Sequence, residues 1–293
     1  MNELSNAVEQ FMQTRGLSTQ NQTSDVGLSK SEMNVLICIP THDGKIEFKC
    51  VLSLLTLAEE LRSAGIRYEV QVIAGSSQIN AVRNFFGNKV AFDCNPNGLP
   101  YSSLLFVDSD CSFQAEDILK LIRADKPIAA LPYAFKQPNW KRVARAVRSG
   151  VSDEYLGEFV GEPVVRTDSN GSPFAVDKLC PVRSVGIGLA LIKSEVFRAL
   201  AASHPEWRSK VHPIFFYGNP IPAREFQYQF FQFDVGPDGY GRSEDYFFMD
   251  HAREAGFETW ILPGARTVHS GNFDFVLNLP AVASLGVQGD KPK

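Results

Sequence analysis

The triplet Asp108-Ser109-Asp110 is the strongest chemical motif in this sequence. It follows the apolar run Leu104-Leu105-Phe106-Val107, which predicts a short strand buried on both faces of a mainly parallel sheet. Ligands bind at the carboxyl edge of such sheets, where the loops leaving the strands separate. Two carboxylates one residue apart can ligate one hard divalent cation, which commonly takes phosphate oxygens as well. The triplet therefore predicts a metal-diphosphate site, although loop aspartates also serve simply to bond their own backbone.

Two later segments carry groups that could act with these carboxylates. Ser243-Glu244-Asp245 begins a predicted helix, and its two acids either stabilise the helix start or supply a carboxylate for proton transfer. His269 stands in the segment Val268-His269-Ser270-Gly271, as a ligand or as a structural histidine. The sequence thus supplies three separate sets of polar side chains that a fold could bring together.

The elements that position these groups are predicted strands alternating with helices. Apolar runs at 34–39 and 68–74 predict two strands, and helical spacing predicts helices at 47–64 and 78–88. The loops that leave these two strands contain Pro40, Thr41, Asp43, Gly75 and Ser76. Arg83, on the second helix, either meets phosphates at the ligand edge or is an ordinary solvated residue. This order predicts an α/β fold with a mainly parallel central sheet.

Composition divides the chain into three parts. Residues 1–31 are rich in Gln, Asn, Ser and Thr and predict a flexible N-terminal arm, whereas 277–293 is expected to be a peripheral tail. Between them, 32–276 is predicted to form one domain. Within it, 133–178 lacks clean periodicity and is interpreted as a long insertion. Most aromatic rings of the block at 213–233 are expected in the core.

Charge and cysteine content exclude several classes of protein. The net charge of -4 gives no global field for a polyanion, so any nucleic-acid contact requires a local basic patch. Five cysteines without a C-x-x-C pair indicate reduced thiols, and no signal or membrane-spanning pattern is present, which favours a cytoplasmic protein without a membrane span. A nicotinamide cofactor is disfavoured because no G-x-G-x-x-G follows the first strand. Gly186-Ile187-Gly188 is a lone G-x-G inside a predicted strand.

In their order along the chain, these motifs resemble those of the GT-A nucleotide-sugar glycosyltransferases. The matching residues are Pro40-Thr41, Gly75-Ser76, Asp108-Ser109-Asp110, Gly186-Ile187-Gly188, Ser243-Glu244-Asp245 and Val268-His269-Ser270-Gly271. They cover most of residues 34–271. The segment 133–178 and the aromatic block have no counterpart that we can place. The resemblance implies a single Rossmann-like domain with helices on both sides of one sheet.

The resemblance also implies a donor, a metal and roles for the site residues. The donor is a nucleotide-diphosphate sugar such as a UDP-sugar, with Mn²⁺ or Mg²⁺ on its diphosphate. Asp110 and His269 hold the cation, and Asp108 bonds the cation or the donor ribose. Asp245, with Glu244 beside it, is the base if the reaction inverts the sugar, and otherwise orients a substrate. The residues that contact the donor would be Pro40, Thr41, Asp43, Gly75, Ser76, Arg83, Asp108, Ser109 and Gly188.

A basic run in the insertion suggests how an acceptor could bind. If residues 141–148 are helical, Lys141, Arg145 and Arg148 share one face, with Trp140 just before it. Such a face suits an anionic acceptor: a phosphorylated glycan, a lipid-linked sugar, or nucleic acid whose base carries a hydroxyl and stacks on Trp140. The alternative is a solvated helix face.

Two other functions remain open at this point. A sugar-phosphate nucleotidyltransferase is also an α/β enzyme that uses a metal and a nucleotide, but the Gly-rich phosphate loop expected after its first strand is missing. A non-catalytic nucleotide-sugar-binding protein would bind the same donor without turnover. Donor hydrolysis that depends on metal separates an enzyme from a binding protein.

Overall fold

The structure is a computed structural model. It describes residues 33–167, 176, 178–210, 215–216, 219–220, 225–236 and 239–285. The predicted arm at 1–31 lies outside the described residues, as do 286–293 and parts of the predicted insertion and of the aromatic block.

The described strands are short apart from the first two. In chain order they are β1 (Asn34–Thr41), β2 (Arg67–Ala74), β3 (Ser103–Val107), β4 (Cys111–Ser112), β5 (Ile128–Ala130), β6 (Ala134–Pro138), β7 (Gly161–Pro163), β8 (Val165–Arg166), β9 (Cys180–Val182), β10 (Ser184–Val185), β11 (Leu189–Lys193), β12 (Arg208–Lys210), β13 (Phe215–Phe216), β14 (Asn219–Pro220), β15 (Phe226–Tyr228), β16 (Asp234–Val235), β17 (Gly241–Arg242), β18 (Thr259–Ile261), β19 (Arg266–Ser270) and β20 (Asp274–Asn278).

The helices lie mainly between these strands. They are α1 (Phe48–Ser63), α2 (Ile79–Phe92), α3 (Ala115–Arg123), α4 (Trp140–Arg148), α5 (Ser194–Ser203), α6 (Glu244–Glu254) and α7 (Leu279–Ser284), with 3₁₀ turns at Asp153–Phe159 and Pro205–Trp207.

The central sheet has seven strands in the order β2-β1-β3-β11-β5-β18-β9. β1 pairs in parallel with β2 and β3, and β5 pairs in parallel with β18. β11 runs antiparallel to both β3 and β5, and β9 runs antiparallel to β18. Five strands therefore share one direction. The predicted mixed α/β architecture with a mostly parallel sheet is confirmed.

Helices cover both faces of this sheet. The side chains of each strand alternate between the two faces, so one strand contributes residues to both cores. Ile37 of β1 packs into a core with Leu57 of α1 and Ile118 of α3. The neighbouring Cys38 packs into the opposite core, which contains Phe86 of α2 and Phe197 of α5. The two buried layers hold β3 rigidly between them, and the acidic triplet follows directly at its carboxyl end.

A smaller sheet of β20, β19 and β4 lies beside that end. β19 pairs with β4 so that His269 stands opposite Cys111. β4 is a two-residue strand between the acidic turn and α3. Its ladder with β19 is a tertiary contact, which local periodicity could not predict.

The predicted insertion is better ordered than its composition indicated. Its described residues form β6, α4, a 3₁₀ turn, β7 and β8, and β6 pairs with β7. Ala134 and Val160 from this segment build a third core with Phe275 and Leu277. Leu277 is fully buried in β20, so the start of the predicted peripheral tail belongs to this core, whereas α7 has no buried residue.

Candidate active site

The turn at 108–110 is fixed by backbone hydrogen bonds from three sides. The N–H of its first residue donates to the carbonyl of Gly188 over 2.8 Å, and the Glu47 N–H donates to the carbonyl of its middle residue over 2.9 Å. The Ser270 N–H donates to the carbonyl of its third residue over 2.8 Å. The two carboxylates therefore project from a turn whose backbone is held in place by its neighbours.

The first carboxylate belongs to a cluster around Arg83, whose side chain is only 4% exposed. Its Nη1 atom lies 2.8 Å from Oε1 of Glu244 and also bonds Asp245, while Nη2 lies 3.5 Å from Oδ1 of Asp108. Sequence analysis expected Arg83 to meet phosphates or to be solvated. Burial excludes the solvated role, and carboxylates already occupy both terminal nitrogens.

Three carboxylates around one guanidinium leave this cluster with surplus negative charge. Burial raises the pKa of Asp108, and although Arg83 opposes the shift, the pKa remains above its ordinary value. Burial likewise raises the pKa of Asp245 against the effect of Arg83. Burial lowers the pKa of Arg83 itself, but the carboxylates of Asp245, Asp108 and Glu244 outweigh burial and raise it. The cluster is thus arranged to receive further positive charge.

The Gly186-Ile187-Gly188 segment packs directly against this cluster. It connects β10 to β11 rather than lying inside a strand, which corrects the prediction. The Ile187 N–H donates to Oδ2 of Asp245 over 3.1 Å. A Cβ on Gly188 would lie 2.5 Å from Oδ2 of Asp108, and one on Gly186 would lie 2.3 Å from the Tyr133 hydroxyl. Positions 186 and 188 therefore require glycine, because any larger side chain would overlap the neighbouring side-chain atoms.

The second carboxylate, Asp110, forms a separate group with His269 and Lys136. Nε2 of His269 lies 3.2 Å from Oδ1 of Asp110, and Nζ of Lys136 donates to Oδ2. Burial opposes ionisation of Asp110, but hydrogen bonds from His269 and Lys136 outweigh it and lower the pKa to about 2. Asp110 is therefore an anion at neutral pH.

The hydrogen bonds of His269 suit a metal ligand. Its Nδ1 atom lies 2.8 Å from the Ala134 carbonyl oxygen, which only accepts, so Nδ1 carries a proton. A cation that takes the place of the Nε2 proton in the hydrogen bond to Asp110 would bind the Nε2 lone pair. This arrangement, with the outer N–H on a backbone carbonyl, is how most histidine ligands are held.

A cation between the two side chains is geometrically reasonable. Two ligands about 2.1 Å from an ion at a right angle are roughly 3 Å apart, close to the observed separation of Asp110 and His269. The Cys111 thiol is the third group within 4.8 Å. Burial raises its pKa well above the ordinary value, and sulfur ligands suit softer metals than the hard cations that carboxylates bind. Asp108 lies outside this trio and faces Arg83 instead.

The other predicted donor-contacting residues lie where β1 and β2 end, at the same edge of the sheet. Pro40 and Thr41 close β1, and the Gly75 N–H donates to the Thr41 carbonyl over 3.1 Å. Asp43 is exposed and pairs with Lys45, and Ser76 bonds the backbone of the next turn. Ser109 is the middle residue of the acidic turn.

The predicted basic helix is confirmed as α4, which starts four residues after Lys136. Trp140, Lys141 and Arg148 are exposed, and Arg145 is half-buried. This surface is separate from the Arg83 cluster.

Sequence reasoning missed two residues of the site. Tyr133 is buried between the two acidic groups: its hydroxyl accepts from the Gly188 N–H at 3.4 Å, and its ring stands edge-on to His269 at 5.3 Å. Lys136 contacts Asp110, although it lies only four residues before the basic helix. Both follow β5, so their position after a buried apolar run was the available signal.

The sequence matches no family model and no curated protein. Among solved structures, one match is the crystal structure of A197 from STIV, which is 14% identical and covers 85% of this chain and 91% of that chain. Its TM-score of 0.43 is too low to assign a fold or a function. None of the helices that the structure describes combines the length and apolar character needed to cross a membrane.

Proposed function

We propose that this chain is a metal-dependent glycosyltransferase that moves a sugar from a nucleotide-diphosphate donor to an acceptor hydroxyl. One observation carries the proposal. Asp108, Asp110, Asp245 and His269, which come from three separate segments of the sequence, lie around the carboxyl end of β3 in two adjoining groups. This edge is where open α/β sheets bind their ligands.

The two groups suit different parts of the reaction. Asp110 and His269 would hold Mn²⁺ or Mg²⁺, which neutralises the charge that develops on a departing diphosphate. Lys136 is 39% exposed on its long side chain, so it can leave Asp110 when another cation binds there. Asp108 and the loops after β1 and β2 face the donor, which here is a UDP-sugar.

Asp245 is the residue we assign to the acceptor. Its Oδ2 atom is held by the Ile187 N–H, and its pKa is raised by burial, which favours a group that takes up a proton. Arg83 holds the carboxylates of Asp245 and Glu244 in place and is a positioning residue. The acceptor hydroxyl attacks the sugar carbon as the bond from that carbon to the diphosphate breaks, and Asp245 removes the hydroxyl proton.

Thermal unfolding with a panel of nucleotide sugars, with and without Mn²⁺, tests the donor assignment, because a bound ligand stabilises the folded state by mass action. We expect a UDP-sugar to raise the melting temperature only when metal is present. Asp110→Asn should weaken this binding by at least about 10-fold. Asp153→Asn removes a carboxylate from the exposed 3₁₀ turn and serves as the matched control.

Slow release of UDP and free sugar, dependent on metal, is the expected reaction without acceptor. Stabilisation by the donor with no such release would favour the binding protein. Incorporation of labelled pyrophosphate into a nucleoside triphosphate in the presence of a sugar phosphate would favour the nucleotidyltransferase. No response to any nucleotide sugar would contradict the proposed function.

A further inference from the structure

Helix α4 presents an unusual concentration of positive charge. Its nine residues include four cations and no acid: Lys141, Arg142, Arg145 and Arg148. With Asn139, these side chains line a surface depression of about 530 Å³. The chain as a whole has a net charge of -4, so this charge is local.

The cations differ in how much of their charge is free to bind a ligand. Arg142 donates to Glu162 and to the Gly161 carbonyl, both over 2.7 Å, so its charge is largely neutralised. Lys141 and Arg148 both line the depression, are exposed, and lie near opposite ends of α4. Seven residues separate them, which is roughly 10 Å along a helix axis. Two exposed cations at this spacing suit a ligand with repeated negative charges better than a single phosphate.

An aromatic face lies beside these charges. Trp140 lines the same depression, and 63% of it is exposed. Its position is fixed because Asn139 caps the helix by accepting from the Arg142 N–H over 2.9 Å. A cationic groove with an exposed aromatic ring is the arrangement that binds single-stranded nucleic acid, with phosphates on the cations and a base on the ring.

A short stretch of chain connects the depression to the Asp110 group. Lys136 bonds Asp110, and Trp140 follows four residues later, which limits the distance between the two Cα atoms to roughly 14 Å. That is the length of a few nucleotides. A strand bound on α4 can therefore reach the carboxyl edge of the sheet.

We propose that the depression on α4 binds single-stranded nucleic acid. It thereby supplies the acceptor for the proposed glycosyl transfer, and this last step rests on the proposed function. The binding itself does not depend on it.

Fluorescence anisotropy of a labelled single-stranded oligonucleotide, across a range of salt concentrations, measures this binding. Lys141→Gln/Arg148→Gln removes two exposed cations from the depression and should weaken binding at least about 10-fold at low salt. It should also reduce the slope of log affinity against log salt by roughly 1.4, because each phosphate that is no longer neutralised accounts for about 0.7. Arg62→Gln/Arg123→Gln removes two exposed cations from α1 and α3 and should change neither value.

A second variant distinguishes a nucleic acid from other polyanions. Trp140→Ala should weaken oligonucleotide binding roughly 10-fold, because the variant has no ring on which a base can stack. It should leave inorganic polyphosphate binding unchanged, since polyphosphate has no base. Trp140 is exposed, so the variant is expected to fold, and its thermal unfolding checks this.

Three results would overturn the proposal: no salt-dependent oligonucleotide binding by the parent protein, equal losses in the two double variants, or binding to phosphatidylserine vesicles without binding to the oligonucleotide. The last result would identify a lipid surface as the partner. Metal-dependent donor hydrolysis, measured without acceptor, should be the same in Lys141→Gln/Arg148→Gln as in the parent. If the parent binds the oligonucleotide but hydrolyses no donor, only the proposed function and the acceptor role fail.

Discussion

At the scale of single residues, the site is governed by an imbalance of buried charge. Arg83 faces three carboxylates, and a buried ion pair gains little net stability unless every partner is satisfied. Loss of one partner is costly, because the remaining charges stay buried. The carboxylates Asp108 and Asp245 therefore depend on Arg83 to remain ionised in their positions.

We expect Arg83→Met to lower the free energy of unfolding by about 4 kcal/mol near neutral pH. Arg83 lowers the pKa values of Asp108 and Asp245, so in the variant both rise further above those of the unfolded chain. An acid with a raised pKa in the folded state binds its proton more tightly there, so the folded variant gains relative stability as the pH falls. Urea unfolding should show a smaller loss at about pH 5 than at about pH 7, and equal losses would contradict this explanation.

Gly188 provides a steric test of the same cluster. A methyl group there would meet Oδ2 of Asp108, so Gly188→Ala should displace that carboxylate and lower stability by about 2 kcal/mol. Gly157→Ala adds the same methyl group where nothing lies within 4 Å and is the control. Donor binding should fall in the first variant only. A Gly188→Ala protein with unchanged stability and donor affinity would show that Asp108 has room to move.

At the scale of elements, two asparagines of α2 hold the end of β15, which pairs with β12, and the residues that follow it. The Asn88 side chain exchanges two hydrogen bonds of 2.8 Å with the backbone of Tyr228. One turn earlier, Asn84 accepts from the Phe231 N–H and donates to the Phe231 carbonyl. These side-chain amides bond the backbone beside and beyond the β12–β15 pair and anchor the buried Phe230 and Phe231 rings against the core.

Asn84→Ala should therefore destabilise the protein by about 3 kcal/mol, because it leaves a buried donor and a buried acceptor of Phe231 unpaired. Asn80→Ala is the matched control: it lies on the same helix, and its side chain makes no hydrogen bond among the described residues. Amide exchange of Phe231 should accelerate in the first variant alone. Continued protection of that amide would show that another group replaces Asn84.

The elements that could be predicted from sequence are those with an internal pattern. β1 and β3 are apolar runs buried on both faces, and α3 has acids in its first turn and a basic residue in its last, so local rules identify them. β4 is two residues long and exists only through its pairing with β19. The pair of Arg83 with Glu244 joins residues 161 apart, and no local signal records it.

At the scale of the whole molecule, the fold brings two groups that contain carboxylates to one sheet edge and keeps them distinct. The antiparallel strand β11 delivers Gly188 to the Asp108 side, whereas the small sheet of β19 and β4 delivers His269 to Asp110. Tyr133 separates the two groups. A ligand that bridges them must therefore combine a metal-bound portion with a portion that faces Asp245.

This arrangement predicts that the cation and the donor bind cooperatively. If Mn²⁺ at Asp110 and His269 contacts the donor diphosphate, each ligand must raise the affinity of the other by the same factor. The stabilisation by Mn²⁺ and UDP-sugar together should exceed the sum of their separate effects by at least about 1 kcal/mol, the lower range of such coupling energies. Calorimetric melting at fixed ligand concentrations measures this coupling.

His269→Ala should remove most of the coupling with Mn²⁺ and less of the coupling with Mg²⁺, because imidazole suits the softer ion better. Strictly additive stabilisation in the parent protein would place the cation away from the donor and contradict the assignment of Asp110 and His269 to a shared site.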